Sequence, residues 1–99
     1  MIEAVITTTD GQFCAFTVKN HGGSYVCGAV SMLVLNTVNC IEALTNQDFD
    51  CDYETQGGYI RFALKGPRGE EAGLLLDAML FGLRDVQKQY PNEINLKEM

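Results

Sequence analysis

A two-layer α+β sandwich, with a mainly antiparallel sheet carrying two helices on one face in the order β-β-α-β-β-α, is the fold class the sequence predicts. Three observations predict it. Two pairs of short β-friendly runs are each joined by turn residues, and two longer stretches repeat their apolar residues every three or four positions. The chain has 99 residues, 46% of them hydrophobic, which suits one core and one domain over residues 1–99.

The elements follow in order. Ile2 to Thr8 and Phe13 to Lys19 read as strands, and Asp10-Gly11 between them is a tight-turn signal, so the chain opens with a β-hairpin. From Val26 the period changes. Val26, Val30, Leu33, Val34, Thr37, Val38, Ile41 and Leu44 mark the buried stripe of a helix over residues 26–44. Asp48 to Glu54 alternates polar and apolar residues, Gln56-Gly57-Gly58 turns the chain, and Tyr59 to Lys65 completes a second hairpin with an acidic solvent face. Glu70 and Glu71 open a second helix, where the dipole favours acids. Its stripe is Ala72, Leu75, Leu76, Met79, Leu80, Leu83 and Val86, and it stops near Tyr90-Pro91. Residues 90–99 read as a polar tail or a short edge element.

Composition narrows the function classes. The net charge is −6, from thirteen acids and seven bases with no Lys/Arg cluster, which argues against direct nucleic-acid binding. Such a charge either selects a basic partner or only keeps a small protein soluble. Cys14, Cys27, Cys40 and Cys51 form no C-x-x-C pair, so no metal site and no cofactor is expected, and a reducing cytoplasm with free thiols is the simplest setting. The start lacks a basic and apolar leader, and Ser31, Asn36 and Asn39 break the apolar runs too soon for a membrane span.

Met32 and Leu35 on the first helix, and Leu74, Ala78 and Phe81 on the second, lie off the core stripes. Two accounts fit this surplus: a homodimer interface, or helices buried on more than one side within the monomer.

Chemistry concentrates in Asn20-His21-Gly22-Gly23-Ser24-Tyr25-Val26-Cys27-Gly28-Ala29-Val30-Ser31, which holds the only histidine. A thiol becomes reactive beside an imidazole or at a helix N-terminus, and Cys27 can have both. Amides of the helix start, those of Cys27 and Gly28, lie ahead of the helix's own hydrogen bonds and can hold an oxyanion, and small Gly28 and Ala29 let a carbonyl approach. His21 lies six positions upstream, about 20 Å if extended. Glycine at positions 22 and 23 gives the chain the conformational freedom to fold back to hydrogen-bond reach. Taken alone, a loop histidine is commonly an exposed or capping residue, and a helical cysteine a small buried hydrophobe. Cys14, Cys40 and Cys51 are expected to be inert.

The stretch resembles the ribosomal-processing cysteine proteases of bacteria, whose signature is Gly-His-Ala after the second strand and Asp-Ile-Val-Cys-Ala-Ala-Val-Ser opening the first helix. His21 and Val26-Cys27-Gly28-Ala29-Val30-Ser31 match, as do Val38-Asn39, and the likeness runs over nearly the whole chain. The resemblance implies the two-layer fold, a homodimer, Cys27 as nucleophile and His21 as its base. It also implies an activity, removal of a short N-terminal extension from a large-subunit ribosomal protein. Asn20, Gly22, Gly23, Ser24 and Ser31 are then the loop and substrate-binding positions. The sequence departs from the pattern in a shorter His-to-Cys loop, Asn20 for Gly, Gly22 for Ala, and Ser24 for the Asp that can orient the imidazole. Ser24 or Asn20 can accept from its N–H instead.

Two rivals are set beside this reading. A family member with weakened or absent catalysis would act as a binding or regulatory protein in ribosome assembly. A calcium loop at Asp48-x-Asp50-x-Asp52 fails because Tyr53 stands where Gly is needed and Tyr59 where a bidentate Glu is needed.

Overall fold

The structure is a computed structural model and describes residues 1–19, 25–54 and 58–99. Strand β1 (Ile2–Thr9) and strand β2 (Gln12–Lys19) form the expected hairpin. Asp10 and Gly11 have φ of 54° and 78°, the two consecutive left-handed residues that a type I′ turn requires. Thr7 pairs with Ala15 but Thr8 with Phe13, so Cys14 is the extra residue of a β-bulge. The bulge resets the alternation, and Phe13 and Phe16 both reach the core despite their odd spacing.

Helix α1 (Tyr25–Leu44) buries Val26, Cys27, Val30, Val34, Thr37, Val38 and Ile41. The expected stripe holds except at its end. Leu44 is 69% exposed because the helix finishes there, beyond the edge of the core. The expectation that polar residues break this segment too soon for a membrane span also needs correction. By length and composition α1 is apolar enough to cross one, with mean hydropathy 1.5, since a 20-residue helix gathers the apolar runs on both sides of Ser31 and Asn36.

Strand β3 (Phe49–Glu54) pairs antiparallel with β4 (Tyr59–Leu64), and helix α2 (Glu70–Gln89) follows. Residues 90–99 are not a tail. Ile94–Glu98 forms strand β5, parallel to β1 along Ile2–Ile6, with Ile94 buried. Met99 continues the contact, its N–H donating to the Ile6 carbonyl at 2.8 Å. The sheet order is β3-β4-β2-β1-β5.

Alternate residues of the strands, among them Ala4, Ile6, Val18, Ile60 and Phe62, form the core face beneath the helices. Phe62 stacks on Phe16 and Phe49 with ring centroids at 5.1 and 4.9 Å. The helices run antiparallel, since α1 begins where β2 ends and α2 ends where β5 begins. They approach closely at Gly82, where a Cβ would lie 2.8 Å from a Leu33 methyl.

The opposite sheet face carries charge, and two ion pairs reduce the acidic surplus expected of the second hairpin without removing it. Asp50 pairs with Lys65 at 3.2 Å and Asp52 with Arg61 at 3.1 Å, because cross-strand neighbours share that face. Asp50 and Asp52 stand in extended strand, which is the geometry of an ion-paired sheet face and not of a calcium loop.

Candidate active site

Cys27 is the third residue of α1, and it is 4% exposed. The first four amides of a helix have no carbonyl four residues back, and together they carry a partial positive charge. No acid stands in the first turn of α1 to neutralise it. The sulfur therefore sits where a thiolate, or an oxyanion formed on a bound carbonyl, is electrostatically favoured.

Ser31 lies four residues on, on the same helix face, with its Oγ 4.0 Å from the Cys27 Sγ. Gly28 is exposed, and a Cβ built there meets no atom of the described residues within 4 Å beyond its own helix backbone. The open space over Gly28 leaves a carbonyl free to approach the first turn.

Register decides what else gathers here. Glu3 pairs with Lys19, Val18 with Ile60, and Glu54 with Tyr59, so β2 and β3 end, and β4 begins, at the sheet end where α1 starts. A groove of about 200 Å³ opens between α1 and this end of the second hairpin. Its floor includes Val18, Val34 and Ile60, all buried, and its rim includes Leu35, Tyr53 and Tyr59. Ser31 and Glu54 also line it, so the groove begins one helical turn from Cys27.

Of the residues singled out in the sequence, Cys27, Gly28 and Ser31 are thus brought together on one turn. His21, Asn20, Gly22, Gly23 and Ser24 lie outside the described residues, as do Gln56 and Gly57 of the second turn. The remaining cysteines stand elsewhere. Cys14 donates to the Thr7 carbonyl at 3.6 Å in the bulge, and Cys40 is half-buried within α1. Burial pushes the Cys51 thiol up, with Asp52 and Glu42 adding to the effect, so its reactive form is disfavoured.

Sequence reasoning missed the groove. Its one available signal was the alternation Phe49, Cys51, Tyr53, which sets a tyrosine on the helix-facing side of the sheet at the strand end. Phe49 and Cys51 are partly covered there, whereas Tyr53 is 63% exposed and forms a wall.

Comparison with known proteins gives a consistent result. The family described as Cysteine protease Prp matches residues 1–95. The ribosomal processing cysteine protease Prp of Staphylococcus aureus is 30% identical over 76 residues, covering 77% of this chain and 72% of the relative. The protein of the same name from Bacillus subtilis is 26% identical over 80 residues, covering 77% and 71%. Crystal structures of the S. aureus protease with a substrate peptide, and with a covalently linked product peptide, each superpose with TM-score 0.93 at 29% identity over 100% of both chains.

Proposed function

The chain belongs to the cysteine protease Prp family and is a cysteine protease, and from that premise we propose that Cys27 is its nucleophile and His21 its general base. His21 takes the thiol proton, and the thiolate attacks the scissile carbonyl. The Cys27 and Gly28 amides hold the oxyanion of the tetrahedral intermediate. The imidazolium then protonates the departing amine. Water, deprotonated by His21, hydrolyses the thioester and returns the free thiol. The observation that carries this reading is the placement of Cys27 in an acid-free first turn of α1, next to Ser31 and an open groove.

The substrate in this proposal is a large-subunit ribosomal protein, from which a short N-terminal extension is removed. The relatives' name, ribosomal processing protease, supports that assignment. Ribosomal proteins are basic as a class, and the net charge of −6 favours their approach. With Asp50 and Asp52 already paired, Asp48 and Glu54 are the acids of this hairpin that remain for the task. Cleavage of a peptide spanning the extension is expected to fall below detection in Cys27→Ala with the circular dichroism spectrum unchanged. Retained cleavage would remove Cys27 from its role.

The binding-only rival draws on one observation, the 4% exposure of Cys27, since a covered thiol is reached only after its surroundings move. Iodoacetamide separates the two. A protease should show Cys27 alkylated near neutral pH faster than a thiol of pKa about 8.5 allows, and protected once a non-cleavable substrate peptide is added, whereas a non-catalytic binder should show no such excess reactivity.

A homodimer and a reducing cytoplasmic setting complete the proposal. Met32, Leu35, Leu74, Ala78 and Phe81 are exposed, so burial inside the monomer does not account for them, and a second copy is the cover proposed. No disulfide joins Cys14, Cys27, Cys40 and Cys51. Sedimentation at micromolar concentration should give the dimer mass, and a strict monomer would refute it.

A further inference from the structure

The two edges of the sheet are finished differently. At β5, Gln87 Oε1 takes the Leu96 N–H at 3.1 Å and Arg84 holds Glu98 beside it, so α2 straps that edge. The other edge is β3, which contains no proline, no lysine and no bulge, the devices that commonly close a strand to further pairing.

Register tells which groups β3 offers. The Lys65 N–H donates to the Asp48 carbonyl at 2.9 Å, so along this ladder Asp48, Asp50, Asp52 and Glu54 turn their backbone groups toward β4. Phe49, Cys51 and Tyr53 turn theirs outward, and no loop or side chain among the described residues bonds them. An extended peptide laid along β3 would satisfy these groups over a stretch of about 14 Å. The edge starts at the sheet end where α1 begins and runs away from Cys27.

Charge decides what that peptide is. The solvent-facing row of the edge is acidic at every second residue, Asp48, Asp50, Asp52 and Glu54, and the bases that answer it, Lys65 and Arg61, both stand on the β4 side. Toward a new strand Asp50 and Asp52 hold non-hydrogen-bonded positions, where facing side chains come closest, and their side chains remain 61% and 70% exposed. A second copy pairing through β3 would set this acidic row beside its own image, like charge against like. On the helix side the row is Phe49, Cys51 and Tyr53, with Phe49 and Cys51 packed on the core.

The geometry points to the β3 edge as a docking strand for an extended segment of the substrate in which Lys or Arg alternates with apolar residues. The inference rests on the reading of the substrate as a basic protein, and its test separates the two.

With Cys27→Ala to prevent turnover, fluorescein-labelled (Lys-Val)4 is titrated by anisotropy beside (Glu-Val)4 and Lys-Lys-Val-Val-Val-Val-Lys-Lys, which keeps the charge and loses the alternation. The alternating peptide is expected to bind roughly tenfold more tightly than either control. Hydrogen exchange read by NMR should slow at the Phe49, Cys51 and Tyr53 amides on binding, while the Asp50 and Asp52 amides, already in the ladder, keep their rates. Asp50→Asn with Asp52→Asn, both at exposed pairs that the fold can lose, should weaken binding about fivefold and flatten its salt dependence.

Equal binding of the scrambled peptide, or binding without protection of the three edge amides, overturns the docking strand. Edge amides already protected in the free protein, and more so at higher concentration, assign the edge to a second copy and overturn it as well. Edge protection retained by a protein that cleaves no ribosomal-protein peptide sinks the substrate reading alone, and the docking strand for a basic segment then stands.

Discussion

The two helix starts of this molecule are built in opposite ways. The α2 start is compensated by acids and tied to its surroundings. Glu70 and Glu71 meet its dipole, and Gln47 Oε1 accepts the Gly69 N–H at 2.8 Å while Gln47 Nε2 donates to the Asp48 and Lys65 carbonyls. Arg68 donates to the Phe13 carbonyl at 2.6 Å and forks onto both oxygens of Asp77. Its guanidinium fills the space over Gly73, where a Cβ would collide with it. The α1 start has no acid, a glycine opening onto free space, and a cysteine in its first turn. A helix end whose charge is met by acids in its own first turn serves the fold, and one with no acid there keeps more of that charge for a bound group.

Changes at the two ends sharpen this contrast, beginning with the compensated one. Arg68→Ala removes charge-assisted bonds from a mostly covered side chain and should cost about 2 kcal/mol in urea unfolding. Because the damage is confined to the α2 start, kcat/KM in the absence of urea should hold. Loss of activity in proportion to stability would show that the two ends are coupled.

Gly28→Asp makes the α1 start resemble the α2 start. The exposed position has room for the side chain, so folding should persist, while the added carboxylate opposes both thiolate and oxyanion. A loss of about 1 kcal/mol, roughly fivefold in kcat/KM, is expected from dipole compensation. An unchanged rate would mean that the helix end contributes nothing to the chemistry.

Gln47→Ala should cost roughly 0.5–1 kcal/mol, since its three bonds are partly solvated and water replaces them. Thermal unfolding measures it.

The smallest effect belongs to Glu98, whose carboxyl is held below the ordinary glutamate value of 4.5, chiefly by its hydrogen bonds to Arg84. A depressed folded pKa contributes stability that is present above the ordinary value and lost as pH falls through the lowered one. Glu98→Gln should therefore lower the melting temperature slightly at pH 7 and converge with the parent in strong acid. No difference at any pH would show that the exposed pair contributes nothing.

Local physics was legible in the chain itself. Asp10-Gly11 has the backbone freedom that a type I′ turn demands, and the three- and four-residue spacing of Val26 through Ile41 can be satisfied only by a helix lying on a core. The same locality made Cys27 and Gly28 recognisable, because both lie in the first turn of a helix, whose amides find no carbonyl within the helix itself.

Long-range pairing decided the rest. Ile94–Glu98 looks polar enough to be a tail, yet it forms a strand because β1 offers an open edge and Ile94 gains burial, a partnership across more than ninety residues that no window of sequence contains. The Cys14 bulge, the clamp of Arg68 on Phe13, and the groove between α1 and Tyr53 likewise depend on register between distant strands. Periodicity and turn chemistry act over a few residues and are written in order. The cover of a thiol and the width of a pocket are distances between elements, and only packing sets them.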